Sequence, residues 1–118
     1  MSRHHKTGIA GEELAVKYFS DKNYSILHRN WRFGNWEVDI IASKDNVLHF
    51  IEVKTRKSTT YGYPEEDAGV KKITNLINAA EEFMEQYPEW ENLQFDILSI
   101  LIENNKEPEF FLIEDVYV

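Results

Sequence analysis

The sequence predicts an α/β fold in which a central mixed β-sheet is flanked by helices, and three observations carry that prediction. Apolar residues recur at three- to four-residue steps in Gly8–Lys22 and again from Glu65 to Tyr87, as on helices. Three β-rich segments lie between these two, and two more follow the second. The order helix, three strands, helix, strand, strand leaves a sheet whose two faces need helical cover. With 118 residues, 42% of them hydrophobic and 14% aromatic, the chain suits one core and one domain spanning 1–118.

In the first helix Ile9, Leu14, Ala15, Tyr18 and Phe19 form the apolar stripe, interleaved with Glu12, Glu13 and Lys17. Asp21-Lys22-Asn23 ends it, and Tyr24–Trp31 reads as the first strand. Gly34-Asn35 is a turn. Trp36–Ser43 and Val47–Thr55 are the next two strands, and the intervening Lys44-Asp45-Asn46 suits a tight hairpin, so the pair should be antiparallel. Tyr61–Pro64 reads as a loop, followed by Glu65-Glu66-Asp67, acids suited to the positive end of a helix dipole. The helix stripe is Val70, Ile73, Leu76, Ile77, Ala80, Phe83 and Met84, and Tyr87-Pro88 stops it, because the residue before proline disfavours helical geometry. Phe95–Ile102 is apolar enough for a central strand, Asn104-Asn105-Lys106 turns the chain, and Glu109–Val118 is an edge strand.

Composition narrows the chemistry. There is no cysteine, which excludes disulfides, thiolate metal sites and a thiol nucleophile. No apolar run is long enough to span a membrane, and Met1–Lys6 lacks the apolar stretch of a signal peptide, so a cytoplasmic location without membrane contact is expected. The net charge of −8 opposes a polyanionic partner on average, but the average hides a division. Residues 1–72 carry 12 of the 13 Lys and Arg against 10 acids, while residues 73–118 carry Lys106 against 11 acids. The acidic half suits either a solvating surface or a device that repels wrong partners.

Two acids and a lysine fall on strands that should be interior. Alternation places Asp39 with Ile41 on one face of the second strand, and Phe50, Glu52 and Lys54 on one face of the third. A two-residue turn at Lys44-Asp45 would set Asp39 opposite Phe50, with Glu52 as its diagonal neighbour at roughly 7–8 Å between α-carbons. Two carboxylates so placed offer the minimum protein share of a magnesium site, and Lys54 adds the cation that phosphodiester hydrolysis needs beside the metal. On spacing alone, an ion pair between Glu52 and Lys54 is the stronger reading.

Asp39, twelve intervening residues, then Glu52-Val53-Lys54 resembles the PD-(D/E)XK nuclease signature of restriction endonucleases and archaeal Holliday-junction resolvases. The chain resembles the bacterial YraN-like family more closely and over nearly its whole length. The matching blocks are Gly11-Glu12 with Ala15, Asn30-Trp31-Arg32, Glu37–Ile41, Phe50–Arg56, Gly62 with Pro64, Val70 with Lys72, Ala79-Ala80 and Phe95-Asp96. The resemblance implies a restriction-endonuclease-like fold and magnesium- or manganese-dependent cleavage of DNA, branched or structured by analogy. It implies Asp39, Glu52 and the Val53 carbonyl as metal ligands, Lys54 as the cation that orients water, and Glu12 as a helix acid able to reach the metal. Glu12 equally suits a solvated face. Arg32, Arg56, Lys57 and Lys72 would contact the nucleic-acid backbone, although Lys72 also suits an exposed helix position. Two positions depart from the family: Trp36 stands where glycine is usual and Gln94 where arginine is common. They leave open the alternative of a nuclease-fold binding or scaffold module, and the oligomeric state, a homodimer included, is open too. His4, His5, His28 and His49 are assigned no metal, Asp96 a structural role, and Glu37 either a ligand role or a bond to Arg32.

Overall fold

A computed structural model describes the backbone of residues 3–57 and 70–116 and the side chains of residues 10–57 and 74–116. The first amphipathic segment forms α1 (Arg3–Asp21), longer at its start than its periodicity implied. It buries Ala15 and Phe19 completely. Asn23 ends it with a left-handed φ of 71°, while the amides of Lys22 and Tyr24 both return to the carbonyl of Phe19. Asparagine tolerates that conformation, so a polar residue does here what glycine often does at a helix end.

Five strands form one sheet in the order β1-β2-β3-β4-β5: β1 (Ser25–Phe33), β2 (Trp36–Lys44), β3 (Val47–Arg56), β4 (Leu93–Leu101) and β5 (Glu109–Ile113). All neighbours are antiparallel except β3 and β4, which are parallel and joined through α2 (Val70–Gln86). A parallel pair cannot be closed by a tight turn, so a crossover helix is required there. The expected loop at Tyr61–Pro64 and the acids Glu65–Asp67 lie outside the described residues. The last strand is shorter than expected: Asp115 takes a φ of 56°, and its amide and that of Val116 turn back to Asp96 and Phe95.

Each face of the sheet has its own core. On one, α2 contributes Leu76, Ala79, Ala80 and Phe83 against Val38, Ile41, Leu48, Phe50 and Phe95. On the other, α1 contributes Ala15 and Phe19 against Ile40, Ala42, Ile51, Leu98 and Ile100. Phe83 is the hub of the first, meeting Trp31, Phe50, His28 and Tyr87 ring to ring. Trp31 is thereby a core residue. No helix among the described residues is long and apolar enough to cross a membrane.

Two expectations about register need correction. The β2–β3 turn is Asp45-Asn46, one residue later than assumed, and Lys44 pairs with Val47. Both turn residues have positive φ, 52° and 67°, the geometry of the hairpin turn whose twist matches its strands, which Asp and Asn tolerate. Ile41 is therefore opposite Phe50 and Ile40 opposite Ile51, where the ladder ends, so Phe50 is not the partner of Asp39.

Regular alternation also fails at Asp39. Val38 and Ile41, three residues apart, both face α2, while Ile40 faces α1. The same slip occurs on β1, where His28 and Trp31 both reach Phe83 and the intervening Asn30 has a φ of 52°. Asn30 lies across the ladder from Asp39, between the pairs Arg29–Ile40 and Trp31–Val38. Asp39 thus sits where β2 changes phase, not on the face of Ile41.

Candidate active site

The acidic recess forms where β2 leaves β3. Backbone pairing ends at Ile40–Ile51, and beyond it the Val53 amide donates to Asp39 Oδ2 at 2.8 Å. Within one strand residue the N–H and C=O point towards the same neighbour, so the Val53 carbonyl is directed into this fork as well. The fork opens into a cavity of about 400 Å³ lined by Asn35, Glu37, Asp39, Glu52, Val53 and Asn75. Asn35 comes from the β1–β2 turn and Asn75 from α2, so three separate parts of the chain build the walls.

Burial pushes the Asp39 carboxyl up to about 6, against the lowering effect of the Val53 amide, and the charges of Glu52, Glu37 and Glu12 add to the rise. Glu52 alternates with Ile51 and Val53, which face α1, and so turns to the α2 side together with Lys54. Lys54 Nζ lies 3.7 Å from Glu52 Oε2, with side-chain exposures of 14% and 21%. At that distance and partial burial the pair is a Coulombic contact rather than a short hydrogen bond. The ion pair and the site lysine are accordingly the same residue in the same place, and the two readings of Lys54 are not exclusive.

Glu12 approaches from the other layer. It accepts from Arg29 Nη2 at 3.1 Å, Glu13 accepts from the same atom at 2.8 Å, and Glu12 does not line the recess. Glu12 stands on the α1 side of the sheet, because α1 covers the face of Ile51 and Val53. Its charge still reaches Asp39. Gly11, the neighbour of Glu12, brings the helix against β3: a Cβ there would stand 2.1 Å from Thr55 Oγ1, one residue from Lys54.

The basic residues divide. Arg32 is 74% exposed and donates to Glu37 at 3.2 Å. Arg56 is the last residue of β3 and half-buried, and Lys57 is exposed just after it. The side chain of Lys72 lies outside the described residues.

Sequence reasoning missed four residues. Asn35 and Asn75 carry no pattern that marks them as lining a cavity. Arg29 was legible only in hindsight, as the one base of β1 able to face the paired acids of α1. The fourth is His49, whose Nδ1 lies 2.7 Å from Asp96 Oδ2 in the core. Asp96 Oδ1 also accepts from Gln94 Nε2 at 2.9 Å and from the Asp115 amide at 3.0 Å, so its role is structural and Gln94 has a partner of its own. The sequence separation of 47 between His49 and Asp96 hides such a pair until the parallel ladder is known.

The donor set fits a hard divalent cation. Asp39, Glu52 and the Val53 carbonyl supply oxygen only, and a cation shared by the two acids would offset the burial and repulsion that now raise Asp39. Among the described residues no three His, Cys, Asp or Glu side chains gather as a ready-made cage. Water and phosphate oxygens would have to complete the shell, which is the habit of magnesium.

The model of the uncharacterised protein family UPF0102 matches residues 11–100. A UPF0102 protein of Bacteroides thetaiotaomicron is 41% identical over 104 residues, covering 88% of this chain and 86% of the relative. Another, from Flavobacterium johnsoniae, is 41% identical over 118 residues, 97% of this chain and 93% of the relative. A third, from Chloroherpeton thalassium, is 37% identical over 118 residues, 93% of this chain and 92% of the relative. The matched stretch contains Glu12, Asp39, Glu52, Val53 and Lys54.

Proposed function

The chain belongs to the UPF0102 family, and from that premise and the acidic fork we propose that it is a divalent-metal-dependent endonuclease hydrolysing phosphodiester bonds in DNA. The observation that carries the reading is the meeting of Asp39, Glu52, the Val53 backbone and Lys54 at the point where β2 and β3 part. These are the residues that the resemblance to PD-(D/E)XK nucleases singles out, and α/β architecture with a mixed sheet is compatible with that fold.

Each group has a separate task. Asp39, Glu52 and the Val53 carbonyl would hold the cation, magnesium or manganese, through oxygen alone. Bound there, the ion would polarise the scissile phosphate and make the attacking water more acidic. Lys54 holds that water in line and offsets charge gathering on the phosphate, a preorganised interaction that strengthens as the transition state forms. Glu12, pinned by Arg29, acts on Asp39 through its charge. Arg32, Arg56, Lys57 and Lys72 hold the backbone of the nucleic acid without reading its sequence.

A second reading is a nuclease-fold binding module without cleavage, favoured by the lack of a third acidic ligand among the described residues. Titration with magnesium or manganese, followed by tryptophan fluorescence, separates the two, because Trp36 is three residues from Asp39. Cleavage should then appear on a panel of duplex, single-stranded, flap and four-way DNA. A protein that binds no divalent ion at millimolar concentration and cuts none of these is the binding module instead.

A further inference from the structure

We infer that the tip of the β1–β2 hairpin is a stacking platform for one unpaired nucleobase, so that the recess works beside a single-stranded segment rather than within intact duplex. The inference rests on the nuclease reading of that recess. The tip is Phe33-Gly34-Asn35-Trp36, with Gly34 at a φ of 61° and Phe33 paired to Trp36 across the ladder. Their rings lie nearly parallel, 28° apart in plane with centroids 6.3 Å apart. Trp36 is partly buried against the α2 core, whereas Phe33 is 43% exposed. The core thus holds the Trp36 ring, and the Phe33 ring is left partly exposed to solvent.

Single exposed apolar residues need no explanation, and Leu27, Leu93 and Phe111 are others of that kind. Phe33 differs in two respects. It lies alongside a second aromatic ring, and its own turn supplies Asn35 to the wall of the acidic recess. A flat ligand laid on Phe33 would therefore sit on the same turn that carries Asn35 into the recess. Nucleobases have such faces, and stacking on aromatic side chains binds them without sequence preference. In a duplex those faces are already stacked on one another. Only a base at a fork, flap, gap or single-stranded tail is free to leave for the protein ring.

The test compares full-length wild type with Phe33→Ala, Phe33→Leu and Phe33→Trp, each shown to be folded by circular dichroism. Binding is measured by anisotropy, with calcium in place of magnesium, to a blunt duplex and to the same duplex with a single-stranded tail. The tail carries a fluorescent adenine analogue at its first unpaired base. Phe33→Ala and Phe33→Leu should weaken binding to the tailed DNA about fivefold or more, the low end of what one stacked base contributes, and abolish quenching of the analogue. Phe33→Trp should keep both, and the blunt duplex should bind all four proteins within about twofold. Equal binding of the tailed DNA by wild type and Phe33→Ala overturns the inference and leaves the ring for a protein partner. Equal losses on both DNAs, a Leu variant as good as wild type, or a wild type that binds neither DNA overturns it as well. Cleavage plays no part in this readout. A protein that discriminates through Phe33 yet cuts nothing loses only the nuclease reading, and one that cuts with magnesium while Phe33→Ala binds like wild type loses only the stacking platform.

Discussion

Asp39 accepts the amide proton of Val53 at 2.8 Å, so a side chain makes the contact that backbone makes along the rest of the β2–β3 ladder. The carboxylate is thereby both a strand-pairing group and the proposed ligand. Its ionisation touches fold and function together.

The apoprotein should lose stability as pH rises through the window between 3.8, the ordinary carboxyl value, and about 6, where burial holds Asp39. Across that window the folded state keeps a proton that the unfolded state has released, and above it the deficit persists in full. The penalty is at most ~3 kcal/mol, from the size of the displacement. Asp39→Asn keeps an acceptor for Val53 and removes the charge, so its Tm at neutral pH should exceed that of the wild-type apoprotein, while near pH ~4 the two should coincide. Equal Tm values at both pH settings would show that Asp39 is not held above its ordinary range.

Lys54→Ala should abolish cleavage while leaving magnesium or manganese binding nearly unchanged, whereas Asp39→Ala should weaken both. A lysine does not ligate the ion, and losing its charge in the transition state should raise the barrier by about 3–4 kcal/mol. Single-turnover rates and isothermal titration measure the two effects separately. Parallel losses of metal and rate in Lys54→Ala would contradict this division of labour.

Gly11→Ala should destabilise the protein by roughly 1–3 kcal/mol, the usual cost of forcing extra volume into a packed contact. The new Cβ would fall 2.1 Å from Thr55 Oγ1 and 3.3 Å from Thr55 Cγ2, both of which belong to a stiff branched side chain. Thr55→Ala removes those two atoms, and denaturant titration of the double variant should recover most of the loss. A Gly11→Ala protein as stable as wild type would mean that α1 can lift from β3 at no cost.

Replacing His49 by Ala should cost about 1–3 kcal/mol, as expected when a buried polar group loses a hydrogen-bond partner. Asp96 is fully buried and would keep only Gln94 and the Asp115 amide. A smaller loss than ~1 kcal/mol in the single variant would show that the pair is held by packing alone.

Binding to DNA should weaken with salt, and removing Arg32 or Lys57 should each reduce the slope of log affinity against log salt by about one. Arg32 is tied to Glu37, so Arg32→Ala frees an acid beside the recess and should have the larger effect on affinity. A slope unaffected by either substitution would remove these residues from the backbone contact.

Much of the fold was legible because its signals are local. The apolar stripe of α1, the Asp-Asn turn and the proline after α2 each act over a few residues. What escaped depends on geometry between strands. Positive φ at Asn46 goes with a turn one residue later than assumed, which gives Phe50 to Ile41 instead of Asp39, and positive φ at Asn30 goes with a change in the phase of β1 beside the phase change at Asp39. Neither asparagine announces its conformation in sequence, since asparagine is equally at home in an ordinary turn. The candidate residues Asp39, Glu52 and Lys54 were found through a motif, and no periodicity would have predicted that Asp39 bonds in the plane of the sheet. His49–Asp96 and Arg29–Glu12 join segments far apart in the chain, so they surface only once the sheet order is known.

That strand order also has a kinetic side. Each strand pairs with its neighbours in sequence, and among the described residues the β3–β4 pair is the only one that must wait for a helix-length crossover to be closed. Hairpins form early because little chain entropy is lost in closing them, whereas the crossover pairing comes at a larger entropic cost. The fork and its carboxylates therefore belong to the part of the chain able to organise first, and β4 docks afterwards on an edge already aligned. Mutational rate analysis should show Ile40 and Ile51 structured in the transition state, with Leu98 acquiring its contacts late.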